Sequence, residues 1–338
     1  MKKLFLSIIA GLTAVATYAQ NSLLATLSHE GEISTYYGTV ALRDAYNAAS
    51  HGDIITLSSG TFLATNIEKA VTIRGAGMDI DTTTQSEPTI IAGDFDIKIA
   101  DSISSRLILE GIFHNHTIYV KGTFKNGIFL KDRFNTILES DAATFSNLTL
   151  THCKIANKFD ITNASATSIS FVNCVVLNPL FANNAAVEFI NSIVERTVYT
   201  DWINYFGMSS FRNSILIVKY NSNGNYLTSD CTSYNSVAVN LGNNMFNNIS
   251  NTTNSCKSFT EVFKTYTGDK YNDNETFELS DAAKTTLLGI DGTQVGIYGG
   301  NLPFSVTPTN PQITKCNVAA KSTADGKLSV DIQVSTAE

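Results

Sequence analysis

Through the middle of the chain, apolar and polar positions alternate in short runs, and each run ends on an asparagine followed by a small residue. Ile169 and Phe171 fall on one side of such a run and Ser170 and Val172 on the other; Val187 and Phe189 repeat the arrangement against Glu188 and Ile190. Alternation with a period of two places each set on one face of a β-strand. The runs recur as Thr151-His152-Cys153-Lys154-Ile155, Val172-Asn173-Cys174-Val175-Val176, Ile190-Asn191-Ser192-Ile193-Val194, Arg212-Asn213-Ser214-Ile215-Leu216 and Tyr234-Asn235-Ser236-Val237-Ala238. Their small residues are 21, 18, 22 and 22 positions apart. Looser copies stand upstream in "ILEGIF" (108–113) and "FKNGIF" (124–129).

A strand-like repeat of this period cannot bury its apolar row alone, so successive copies must stack as coils of a solenoid. A leucine-rich repeat requires leucines at fixed offsets and a hexapeptide helix requires a six-residue apolar beat; the copies show neither. The expected fold is all-β, a right-handed parallel β-helix. In it Asn173, Asn191, Asn213 and Asn235 turn sharp corners, because asparagine tolerates the left-handed backbone. Stacked roughly 4.8 Å apart, their amides are expected to bond one another in a ladder. His152 substitutes for asparagine in the same column. Cys153 and Cys174 occupy matching small-residue positions in neighbouring copies, where a disulfide and a pair of inward thiols both fit.

Both ends of the repeat add to this. "TVALRDAYNAAS" (39–50) places Val40, Leu42, Ala45, Tyr46 and Ala49 on one helical face, and "HGDIITLSSGTF" and "AVTIRGAG" follow as turn and strands. "FELSDAAKTTLLGIDGTQVGIYGGNLPF" (277–304) carries a Gly-x-Asp-Gly-x-x-x-Gly run. Together these stretches resemble the N-terminal cap and closing segment of secreted bacterial β-helix proteins of the pectin lyase-like superfamily. The resemblance covers roughly 35–304. It implies the fold, with a helical cap at about 35–65, and leaves activity open, since that superfamily holds lyases, hydrolases, esterases, epimerases and non-catalytic proteins. Beyond 304, "VTPTNPQ" reads as a linker, and "ITKCNV" and "KLSVDIQVS" as a strand pair within 305–338.

Residues 1–19, with Lys2 and Lys3 before an apolar run and Thr17-Tyr18-Ala19 at its end, read as a signal peptide. The β-helix unit then spans 20–304, and the protein is expected to be exported and not membrane-spanning. Cleavage near Ala19 takes the net charge from −7 to −9. Without a basic stripe, nucleic acid is not an expected partner. The five cysteines are odd in number and lack C-x-x-C spacing, which excludes a disulfide framework and a zinc or redox motif.

Candidate chemistry is sparse. Polysaccharide lyases of the resembled fold use acidic residues to hold calcium and a lysine or arginine as base. Asp79 and Asp81, and Asp94 and Asp96, are i, i+2 pairs that could share a face and hold calcium, with Arg74, Lys98 and Arg106 nearby in sequence. His114 and His116 are spaced to share a face as a metal pair. The acids of the central coils, Asp160, Glu188, Glu195, Asp201 and Asp230, form no recognisable hydrolase cluster. Trp202, with Tyr199, Tyr205 and Asp201, interrupts the repeat and offers aromatic faces and a carboxylate to a sugar. The expected function is non-catalytic binding of an extracellular polysaccharide or other macromolecule. A polysaccharide lyase or glycoside hydrolase with a divergent site is the alternative.

Overall fold

In the computed structural model the described residues are 23–81, 86–166, 168–182, 184–196, 206–218, 231–239, 257–268, 271, 274–307, 312–318, 321 and 325–335. They form a parallel β-solenoid of about eight turns, as the repeat predicts. Each turn contributes one strand to each of two sheets. The first sheet stacks Ile54–Leu57, Thr72–Arg74, Ile108–Glu110, Ile128–Leu130, Leu148–Thr151, Ile169–Val172, Val187–Ile190, Ser210–Arg212 and Thr232–Tyr234 in parallel register. The second runs from Gly60–Leu63 to Val237–Val239.

The inward apolar row is a column of rings. Phe171 stacks on Phe189 at 5.0 Å and Phe189 on Phe211 at 5.1 Å, with interplanar angles of 13° and 12°. Parallel register repeats the same side chain at the same height, so like residues fall on like. At the corner that follows, Lys131, His152, Asn173, Asn191, Asn213 and Asn235 all take positive φ between 46° and 54°.

The small residue after each corner has a further task. Its side chain accepts a backbone N–H from the coil before: Ile112 N to Asp132 Oδ1, Cys153 N to Cys174 Sγ, Cys174 N to Ser192 Oγ, Ser192 N to Ser214 Oγ and Ser214 N to Ser236 Oγ. These donors are buried, and an unpaired buried N–H costs about 1–3 kcal/mol. The column therefore demands an acceptor as well as small size. Cys153 and Cys174 meet that demand as free thiols and not as a disulfide. Each donates its S–H to backbone carbonyls.

The asparagine amides do not spend themselves on one another as the expected ladder requires. Those of Asn173, Asn213 and Asn235 bind the chain's own closing segment. Asn173 Nδ2 donates to Ile297 O and Gly299 O at 2.8 and 2.9 Å, and Asn213 Oδ1 accepts from Ile290 N. His152 Nε2 lies 3.0 Å from Leu302 O, and Lys131 Nζ donates to Thr307 O. Residues 288–307 thus run back down the corner column, opposite to the order of the coils. Glycine makes this approach possible: a Cβ on Gly300 or Gly289 would stand 2.2 Å from Asn191 Nδ2 or 2.5 Å from Asn213 Cγ. The Gly-x-Asp-Gly run lies against the side of the solenoid, where the resemblance implied closure of the last coil.

That segment covers the outer face of the second sheet over the later coils. Val175, Ile193, Ile215 and Val237, one outward row, are buried with Val262, Phe263, Phe277, Leu279, Val295 and Ile297 in a second apolar cluster. At the other end, helix Ala41–Ala48 buries Ala41, Leu42, Ala45 and Tyr46 in the main core. Lys69 Nζ caps its last carbonyls at Tyr46, Asn47 and Ala49. Strands Gln312–Val318 and Val330–Ser335 pair antiparallel, as their alternation predicts. No helix among the described residues is long and apolar enough to cross a membrane.

Candidate functional site

Where the covering segment ends, its wall and the bare part of the same outward row enclose a groove of about 710 Å³. The row reads Ile90, Phe113, Arg133, Lys154, Val175 across adjacent strands of the second sheet. Phe113, Arg133 and Lys154 form the groove floor. Phe277, Tyr298 and Phe304 line the groove from the covering segment, and Asp79 and Ile80 from an early turn.

The electrostatic centre is a carboxylate between two cations. Asp79 Oδ1 is 3.3 Å from Arg133 Nη1, and its Oδ2 is 2.9 Å from Lys154 Nζ. Arg133 also lies over the Phe113 ring at 4.2 Å, and Lys154 over Phe304 at 5.7 Å. Both are cation–π distances. Lys154 and Arg133 are only 9% and 13% exposed, so the pairing is shielded from solvent at the floor.

Local sequence explains why Asp79 reaches so far. In "RGAGMD" a Cβ on Gly75 would sit 2.3 Å from Gly111 O, so only glycine permits the close packing of two coils there. Ala76 N donates to Thr89 Oγ1, and Met78 is fully buried. This anchored turn projects Asp79 over the outward row. It is a turn between coils with a positioning consequence.

A second recess of about 260 Å³ continues from the first and shares Phe113, Arg133 and Tyr271 with it; Asn115, Asn135 and Ala156 complete its lining. The strands bulge here. Phe134 pairs with His114 and Ile155, but Thr136 pairs with Thr117 and Lys158, leaving an extra residue in each neighbouring strand. A bulge re-aims side chains, and this one leaves His114 and His116 differently buried, although their ring centroids lie 6.3 Å apart. His114 turns inward, fully buried against Phe95, with Nε2 2.9 Å from Gly93 O. Burial lowers its pKa to about 4. His116 stays exposed, 3.8 Å from Asp94. The face shared by the two histidines is therefore lost to the extra residue.

The four aspartates paired in sequence have different partners in space. Asp79 belongs to the groove, and Asp81 N donates to Ser86 O beside it. Asp94 Oδ1 accepts from Thr117 N, and Asp96 pairs with Lys121 at 2.8 Å. No group of three or more His, Cys, Asp or Glu placed to hold a metal ion occurs among the described residues. Tyr199, Asp201, Trp202 and Tyr205 lie outside the described residues.

The residues that sequence reasoning passed over are Phe113, Arg133 and Lys154. A signal for them exists. The position after the small residue is aliphatic at Val175, Ile193, Ile215 and Val237 but cationic at Lys154 and Arg133. That change marks where the outer face passes from covered to open. No family model matches the chain, and comparison with curated proteins and with solved structures likewise returns no match.

Proposed function

We propose that this chain is an exported, non-catalytic glycan-binding protein that seats part of an extracellular polysaccharide in the groove over Phe113, Arg133 and Lys154. The observation that carries this reading is the meeting of aromatic walls with fixed charge in one recess. Phe113, Tyr298 and Phe304, all part-exposed, offer ring faces to the C–H surfaces of a sugar. Asp79, Arg133 and Lys154 offer an acceptor and donors to its hydroxyls. Such a mix of apolar lining and a few placed polar groups is the usual composition of a ligand site. Binding without turnover is favoured because Asp79, Arg133 and Lys154 are engaged with one another, which leaves both the carboxylate and the cations that a lyase would use as base poorly placed to move a proton.

The test is a screen of the purified chain against neutral and uronate-rich glycans. Binding is followed alongside unsaturated-product absorbance and reducing ends. The expected result is saturable binding with neither product, weakened when Arg133 is changed to Ala. Cleavage of any glycan would establish the lyase or hydrolase alternative, and absence of binding across the panel would remove the groove from consideration.

A further inference from the structure

We infer that two copies of this chain pair edge to edge through strand Glu32–Tyr37, antiparallel about Thr35. Among the described residues this strand is the outermost of the first sheet and pairs on one side only, with Leu24–His29. The hairpin between them turns at Glu30 and Gly31, both at positive φ (48° and 88°), the signature of a two-residue type I′ turn. In such a hairpin the closing pair, His29 and Glu32, exchanges both hydrogen bonds, and bonded and non-bonded pairs alternate from there. Glu32, Ser34 and Tyr36 therefore direct N–H and C=O inward. Gly38 N continues the series by donating to Leu23 O. Ile33, Thr35 and Tyr37 direct theirs to the open edge.

Natural edges of this kind are blunted by lysine, proline, a bulge or a covering element. Here the register is unbroken over six residues and "EISTYY" contains no lysine or proline. Ile33 and Tyr37 are 71% and 65% exposed. A two-fold axis perpendicular to the sheet requires paired residues to share a face, so the two positions in each pair must have the same parity. Centring the axis on Thr35 satisfies this and places Thr35 opposite Thr35. Ile33 then meets Tyr37 on both sides of the axis, and Glu32 meets Gly38. The outward-directed residues become the hydrogen-bonded pairs, the exposed apolar side chains cover each other, and no like charges face. The strand is thus self-complementary, as an isologous interface demands. Nothing else on this strand selects a different partner: its only charge is Glu32 at one end.

The contact is small. A six-residue edge buries less than the roughly 1,200 Å² of a standard stable interface, so the dimer is a reversible one. Sedimentation of the purified chain over roughly two decades of concentration should show the mean mass rising from monomer towards a plateau at dimer, as mass action requires. Hydrogen exchange at Ile33, Thr35 and Tyr37 should slow in step. Thr35→Pro removes one outward N–H and no bond within the hairpin, a substitution that an open edge tolerates. It should remain monomeric at the highest concentration with an unchanged circular dichroism spectrum. Ile33→Lys, which adds a charge beside the edge, should do the same. A wild-type chain that stays monomeric, a Thr35→Pro chain that dimerises as before, or a mass that climbs past dimer without a plateau would each overturn the proposal.

Discussion

Lys154 Nζ donates to Asp79 Oδ2 at 2.9 Å across 75 residues of chain, and that bond ties a turn early in the solenoid to the outward row of its central coils. Arg133, one strand nearer, meets the other oxygen of the same carboxylate. One anion thus offsets two sheltered cations, and the three groups hold the groove floor in one arrangement. Replacing Asp79 by Asn keeps the shape and removes the charge, leaving Arg133 and Lys154 to repel each other in a partly desolvated site. Breaking a fully buried ion pair costs 3–5 kcal/mol, and the partial exposure here reduces the expectation to about 2 kcal/mol. A urea unfolding series should show that loss for Asp79→Asn. The double variant Asp79→Asn with Lys154→Met should recover part of it, since the surplus cation is gone. Equal losses in the single and double variants would mean that the three charges do not act together.

The groove's far wall depends on the corner column. Asn173 donates to two carbonyls of the segment that carries Tyr298 and Phe304, and its backbone sits at φ 49°. These two roles can be separated. Asn173→Gly keeps the left-handed corner and deletes the amide, so the expected cost is two hydrogen bonds, about 1–3 kcal/mol. Asn173→Ala deletes the amide and strains the corner as well, so it should cost more. Hydrogen exchange should quicken at residues 297–304 in the glycine variant while the Phe171, Phe189 and Phe211 strands stay protected. Unchanged exchange in that segment would show that the amide does not hold the wall.

The parts legible in the sequence are those set by neighbours in the repeat. The Phe171, Phe189 and Phe211 column and the asparagine corners follow from an alternation and a turn preference that one coil displays and the next copies. What the asparagines bond was not legible in the same way. Asn173 reaches Ile297 across 124 residues, and no local pattern states that partner. The outward row shows the same limit from the other side. Val175 and Ile193 read as strand residues in any β-helix, and only the segment at 262–297 makes them a second core. Lys154 in that row owes its role to Asp79, 75 residues away, and no local pattern states that partner. The bulge that buries His114 and leaves His116 exposed is equally silent, because an extra residue in one strand is defined by its neighbours' register.

His114 links that bulge to acid stability. Its ring is buried, Nε2 lies against Gly93 O and Nδ1 has no partner, so a second proton would be desolvated and unbonded. Its pKa is lowered by burial from 6.5 to about 4. A histidine with a depressed folded pKa contributes stability above its unfolded value, and that contribution is lost as pH falls towards the folded value. The window is therefore about 6.5 down to about 4, and a shift of that size corresponds to roughly 3 kcal/mol. His152, lowered for the same reason under Leu302, adds in the same direction. Asp132 opposes both, because burial raises its carboxyl and a neutral acid is easier to bury as pH falls. The difference between two chains isolates the histidine. His114→Gln can still donate to Gly93 O but cannot titrate, so its urea midpoint should fall less than that of the unaltered chain between pH 7 and pH 4.5. Parallel midpoints across that range would show that His114 does not gain a proton at the cost of the fold.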